Sequence, residues 1–296
     1  MTLPTFQGDG GVLGFAVMEI RTIHANGVEF AYLTLGEGPL ALCLHGFPDT
    51  AHTWRHLMPA LAERGYRAVA PFMRGYAPTE VPADGAYEDA ALVADVRALH
   101  EELGGGDDAV VIGHDWGALP VYVTAGRFRR AVTMALPPPG SLARGFFDYE
   151  QLKRSFYIFL FQTPLAETAA ATPGFIDSLW RDWSPGYDAG EDLEFVRRSI
   201  GNPANLAAAI GYYRALLGAT PPSGRYPAVE RAVTGPVLYL HGAQDGALGA
   251  GLAKDAWGQL PEGSRAELVA GAGHFLHLER PAEVNRLILD WLGPAT

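Results

Sequence analysis

The chain of 296 residues is 48% apolar, enough for one large core or a core with an insertion, and it does not have the composition of a disordered chain. Its net charge of −11, without a Lys/Arg run or a cluster at zinc-ligand spacing, excludes the basic surface that nucleic acid requires. The single cysteine, Cys43, cannot close an internal disulfide; it fits a reducing compartment and reads as a buried thiol among apolar neighbours.

Residues 1–18 read as a flexible N-terminal extension, rich in Gly and Thr, with Met18 as an alternative start. The segment carries no Lys or Arg before Arg21, so the basic region of a secretory signal is missing, and no apolar run is long enough to span a bilayer. A soluble, cytoplasmic protein is the expectation. Apolar, β-rich runs then recur at Val28–Leu35, Leu40–Leu44, Ala68–Phe72, Ala109–Ile112, Ala131–Ala135, Val237–Leu240 and Ala266–Val269, with helix-like stretches between them. That alternation predicts an α/β fold with a mostly parallel sheet covered by helices on both faces. Between Pro137-Pro138-Pro139 and Pro221-Pro222 the rhythm stops, and the text becomes helical and dense in Phe, Tyr, Trp and Leu. Residues 140–224 are therefore expected to form an inserted helical lid, with 19–139 and 225–296 as the core.

The most informative run is Val110-Val111-Ile112-Gly113-His114-Asp115-Trp116-Gly117-Ala118. An apolar strand enters Gly-x-Asp-x-Gly and leaves as a helix of small residues, the pattern of a nucleophile elbow with Asp in the place of Ser. The glycines allow strand and helix to approach closely around a strained apex. A carboxylate there can attack a saturated carbon without prior deprotonation and form an ester. The bland alternative is an Asp that only caps the following helix.

Two further groups complete a constellation in the chain order nucleophile, acid, histidine. Asp245 follows the run Val237–Leu240 into a loop, and Gly273-His274 follows the last predicted strand. His274 would be the general base and Asp245 the group that fixes its tautomer and stabilises its imidazolium. Asp255 is the rival acid, read as a solvated charge on a helix, and His241 and His277 are read as structural because neither has an acid placed to orient it. The run Leu40–Leu44 ends in His45-Gly46-Phe47-Pro48, so the Phe47 and Trp116 amides are the expected oxyanion-hole donors. Phe47-Pro48 is a candidate cis bond, and His45 is read as a packing residue of the turn.

His45-Gly46-Phe47-Pro48-Asp49, Trp54-Arg55, Gly65-Tyr66-Arg67, Arg74-Gly75-Tyr76, Gly113-His114-Asp115-Trp116-Gly117 and Gly273-His274 together resemble the epoxide-hydrolase branch of the α/β-hydrolase superfamily. The likeness runs from about Glu19 onward. It departs at Ala70-Pro71-Phe72-Met73, where the family often has an acidic residue, and at Ala77-Pro78-Thr79, where Gly-x-Ser is commoner. The resemblance implies that Tyr157, in Phe156–Pro164, and Tyr213, in Gly211-Tyr212-Tyr213-Arg214, are the two ring-opening tyrosines, with Tyr212 as the local rival of Tyr213.

An Asp nucleophile is shared with dehalogenases, and the leaving group separates the two chemistries. An epoxide oxygen leaves as a basic alkoxide and needs a proton, which a phenol supplies better than an indole. Haloalkane dehalogenases carry Asn or Trp where this chain has Phe47, and fluoroacetate dehalogenases carry Arg where it has Trp116. The expected function is therefore hydrolysis of a hydrophobic epoxide to a vicinal diol, with water as co-substrate and no metal or organic cofactor. The oligomeric state, a homodimer included, is left open. A dehalogenase with the same nucleophile and a non-catalytic small-molecule receptor on this fold are the alternatives.

Overall fold

The computed structural model describes residues 18–254 and 256–295, so the expectations for the N-terminal extension before Met18 and for Asp255 fall outside the described residues. Eight strands form one sheet among the described residues: β1 Glu19–Ala25, β2 Val28–Leu35, β3 Leu40–Leu44, β4 Arg67–Pro71, β5 Val110–His114, β6 Arg130–Met134, β7 Val237–Gly242 and β8 Arg265–Val269. Their spatial order is β1-β2-β4-β3-β5-β6-β7-β8. The pairs β1–β2 and β2–β4 are antiparallel and every other pair is parallel.

The seven expected strands are present, with ends moved by a residue or two. The additional one, β1, is an edge strand with mostly exposed side chains, Ile20 among them. By contrast β3, β5 and β7 are buried along their whole length, as parallel strands covered on both faces must be. Helices Leu57–Glu63 and Pro281–Leu292 pack on each other and on the sheet, and Asp89–Glu102 with Ala118–Thr124 form a second such pair. Cys43, the fourth residue of β3, is fully buried, and burial pushes its thiol well up.

Between β6 and β7 the chain forms only helices, from Pro139–Gly145 through Pro203–Leu217. Proline stands at or next to the first position of both of these helices, where its missing N–H costs nothing. The helix Phe175–Trp183 buries Leu179, Trp180 and Trp183, a stripe at helical spacing. Trp180 stacks on Phe275 with ring centroids 3.5 Å apart and donates its indole N–H to the Pro48 carbonyl at 2.9 Å. On another side Arg55 makes a paired contact with the buried Asp192 of helix Gly190–Ile200. The helical segment is thus fastened over the C-terminal ends of the parallel strands, where loops of an α/β sheet gather functional groups. No helix among the described residues is long and apolar enough to cross a membrane.

Candidate active site

Asp115 sits at the end of β5 with φ of +50°, in the left-handed region. For a non-glycine residue this costs on the order of 1–3 kcal/mol, so the surrounding structure must hold it there. The glycines around it explain how. A Cβ on Gly117 would collide with the Leu44 carbonyl, and one on Gly113 with the Gly117 carbonyl. Strand, turn and helix therefore close tightly, and the Asp115 carboxylate does not cap a helix. It turns toward the end of β3 instead, where Oδ1 accepts the Phe47 N–H at 2.8 Å. The Trp116 amide supports the same carboxylate. Phe47-Pro48 is a cis peptide.

Burial pushes the Asp115 carboxyl up, against the pull of His274 and of the two amides. His274 Nε2 lies 3.7 Å from Asp115 Oδ2. Its Nδ1 donates to Asp245 Oδ2 at 2.9 Å, which leaves the Nε2 lone pair facing Asp115. Burial disfavours the imidazolium, but the charge and hydrogen bond of Asp245 outweigh it and raise the His274 pKa above the usual histidine value. Asp245 is itself fixed, because its Oδ1 accepts the amides of Ala247 and Leu248 at 2.8 and 2.9 Å. Despite burial, the histidine and these donors hold its carboxyl below the usual range.

An aromatic wall surrounds the carboxylate. Tyr213, on helix Pro203–Leu217, has its ring centroid 5.2 Å from Phe47 and 5.1 Å from Trp116. Tyr157, on helix Phe156–Leu160, lies 5.5 Å from Tyr213 and 5.0 Å from Trp183, whose ring is 5.1 Å from His274. The geometry distinguishes the two neighbouring tyrosines. Tyr212 Oη donates to the Arg74 carbonyl at 2.9 Å, whereas Tyr213 Oη is buried without a partner among the described residues. Burial pushes both Tyr157 and Tyr213 well above the ordinary phenol value, so both carry their proton at neutral pH. An unpaired buried hydroxyl is costly, and sites that bind polar ligands are where such groups persist.

His241 and His277 are expected to lack an orienting acid. Asp245 Oδ2 does come within 3.6 Å of His241 Nε2, because the loop after β7 folds back over its own strand end. Asp49, within 4.8 Å of His277, makes no hydrogen bond to it, and His277 Nε2 bonds Thr53 Oγ1 instead. His241 is nevertheless occupied: Nε2 donates to the Leu248 carbonyl at 2.8 Å and Nδ1 bonds Tyr239 Oη. His45 bonds the Gly46 carbonyl and accepts the Met73 amide, a turn residue with no proton to spare.

Sequence reasoning assigned no place at this centre to Trp183, Phe161, Tyr76 or the buried Asp49 and His114, and it read the buried His277, at the same edge, as structural. The last three put one nitrogen or oxygen each within 4.8 Å of one another. His114 is packed 4.8 Å from His274, ring to ring, and bonds the His274 carbonyl. The available signal was adjacency to the motifs: Asp49 follows His45-Gly46-Phe47-Pro48, and His114 precedes Asp115.

Residues 39–281 match the alpha/beta hydrolase fold family. A protein named Epoxide hydrolase 3 from Xenopus tropicalis is 32% identical over 90% of this chain and 75% of its own length. Epoxide hydrolase A from Mycobacterium tuberculosis is 30% identical over 92% of this chain and 96% of its own. Among solved structures, an epoxide hydrolase from Bacillus megaterium, crystallised with an inhibitor, superposes with a TM-score of 0.78 at 28% identity, covering 92% of this chain and 99% of that one. The chain belongs to the alpha/beta hydrolase fold family, on its epoxide-hydrolase branch.

Proposed function

We propose that the chain hydrolyses an epoxide to a vicinal diol through an ester on Asp115. With Oδ1 engaged by the Phe47 amide, Oδ2 attacks an epoxide carbon, the carbon–oxygen bond breaks, and the departing oxygen takes its proton from Tyr157 or Tyr213. His274, held by Asp245, then removes a proton from water. The hydroxide adds to the Asp115 carbonyl carbon, and the amides of Phe47 and Trp116 carry the oxyanion. Collapse breaks the ester carbon–oxygen bond, the departing alkoxide takes the proton that the hydroxide brought, and the diol leaves with Asp115 again a carboxylate. The proton on His274 returns to the phenolate. Residues 140–224 act as the lid that supplies both tyrosines and excludes water from the first step.

The observation that carries this reading is the pair of phenols across from Asp115, with Tyr213 Oη buried and unpaired. A halide needs no proton; an alkoxide does. The similarity to proteins named epoxide hydrolases supports the same choice, and the apolar, aromatic surroundings favour a hydrophobic substrate. The test is a single turnover in ¹⁸O water followed by mass spectrometry of the Asp115 peptide, alongside assays for diol and for halide release. Label in Asp115 with diol formed supports the reading. Diol without label sinks the ester, and halide release without diol assigns the chain to dehalogenation.

A further inference from the structure

The loop that carries His274 spends three successive backbone N–H groups on one small cluster. Gly273 N–H donates to the Glu279 carboxylate at 2.9 Å, His274 N–H to the Trp183 carbonyl at 3.0 Å, and Phe275 N–H to Ser184 Oγ at 3.1 Å. Ser184 Oγ in turn donates to Glu279 Oε1 at 2.6 Å. The Trp183 carbonyl also accepts the Gly246 N–H at 3.1 Å, so the loops bearing the acid and the base meet on one oxygen atom. Trp183 and Ser184 end the helix Phe175–Trp183, where the last carbonyls have no partner within the helix and are free to take outside donors. A Cβ at Gly273 would stand 2.5 Å from the Trp183 carbonyl oxygen and 2.6 Å from Ser184 Cα, so no other residue fits this approach.

Neither Ser184 nor Glu279 reaches the Asp115 carboxylate, and the chemistry of ester formation and hydrolysis uses neither side chain. We propose that Ser184 and Glu279 are positioning residues for His274. Together they hold the 273–275 backbone so that Nε2 stays aimed at the nucleophile, and they attach the helical segment to the catalytic base. The assignment rests on the role given to His274 under the proposed function. Displacement of a reacting group by about 1 Å can cost about a hundredfold in rate, so a clamp on three consecutive amides is a strong lever.

The experiment compares Ser184→Ala, Ser184→Thr and Glu279→Gln with the parent chain. In the ligand-free protein, the downfield proton resonance of His274 Nδ1–H should shift or broaden in Ser184→Ala and Glu279→Gln and be restored in Ser184→Thr, which keeps the hydroxyl. With an epoxide, kcat should fall about tenfold or more while KM changes little. The pH midpoint of kcat should move down in Glu279→Gln, where a negative charge near the imidazolium is removed. Should Ser184→Ala fail to fold, Glu279→Gln carries the same comparison, since it removes the charge and keeps an acceptor oxygen. Variants that lose only thermal stability and keep the parent's resonance, kcat and pH midpoint overturn the proposal. The resonance needs no substrate, so a chain that opened no epoxide would sink the reaction assignment and leave this test standing.

Discussion

His274 Nε2 lies 3.7 Å from Asp115 Oδ2, beyond hydrogen-bond range, while its other nitrogen is committed to Asp245 at 2.9 Å. A base that had to deprotonate the nucleophile would need contact with it. A carboxylate needs no such help, so the imidazole is free for the water that attacks the ester.

The first prediction follows from that division of labour. Replacement of His274 by Gln leaves Asp115 able to attack but removes the base for the second step. The ester should accumulate, seen in intact-protein mass spectrometry as one added substrate mass per chain, with steady-state turnover reduced by at least about a hundredfold. Asp115→Ala should show no adduct. An unmodified His274→Gln chain after long exposure to a substrate of the parent would contradict the two-step scheme.

The two phenols should behave as partly redundant donors. Removal of a general acid costs about 10²–10⁴-fold when nothing replaces it, but here either hydroxyl can still serve when the other is lost. Tyr157→Phe and Tyr213→Phe should each lower the rate of ring opening by about ten- to a hundredfold, and the double variant by more than the product of the two, because each phenol covers for the loss of the other until both are gone. Tyr212→Phe should act differently, weakening the tie to the Arg74 carbonyl with a loss of stability and little change in ring opening. Pre-steady-state fluorescence or quench-flow on the first turnover separates these outcomes.

Most of the fold was legible because parallel strands buried on both faces write themselves as continuous apolar runs: Leu40–Leu44 keeps its predicted bounds. β1 was invisible for the opposite reason, since an edge strand with exposed faces has no apolar alternation to read. The positions of Asp115, Asp245 and His274 in the chain were readable from glycine-bounded turns after strands. What held each of them was not. The Trp183 carbonyl that joins the acid and base loops is a backbone atom with no signature in the text. Asp49, His114 and His277 meet only because the ends of β3 and β5 and the loop after β8 converge in space.

Gly46 should be as sensitive as a catalytic residue although it has no side chain. An added Cβ would run into the Asp115 carboxylate itself. Gly46→Ala is therefore expected to displace Oδ1 from the Phe47 amide and lower kcat by about a hundredfold, with the fold retained by circular dichroism. A Gly46→Ala enzyme with the parent's rate would mean that the Phe47 amide does not hold the carboxylate in the working enzyme.

Asp49 offers a stability test. Burial, with the nearby Asp192 charge, pushes its carboxyl up to about 8. An acid whose folded pKa exceeds its unfolded value favours the native state most at low pH. That contribution fades as pH rises from about 4, the unfolded value, to about 8. Asp49→Asn, which cannot ionise, should lack this slope. The parent's Tm relative to the variant should therefore fall between pH 5 and 8 and then level off. Parallel Tm curves for the two proteins across that range would show that Asp49 does not stay protonated on folding.

The pH dependence of turnover carries a sign that the charges fix. His274 must be neutral to take a proton from water, and in the free enzyme Asp245 and Asp115 raise its pKa above the usual histidine value of about 6.5. Activity should then rise with pH through a midpoint above that value. Ester formation neutralises Asp115, which removes one of the negative charges that favour the imidazolium. The midpoint in kcat, which reports the ester, should consequently lie below any histidine midpoint seen in binding to the free enzyme. At the other end Tyr157 and Tyr213 are pushed well above the phenol value of about 10, so no falling limb should appear below that pH. A kcat profile that declines between about pH 8 and 9 with the fold intact would remove the protonated tyrosines from the mechanism.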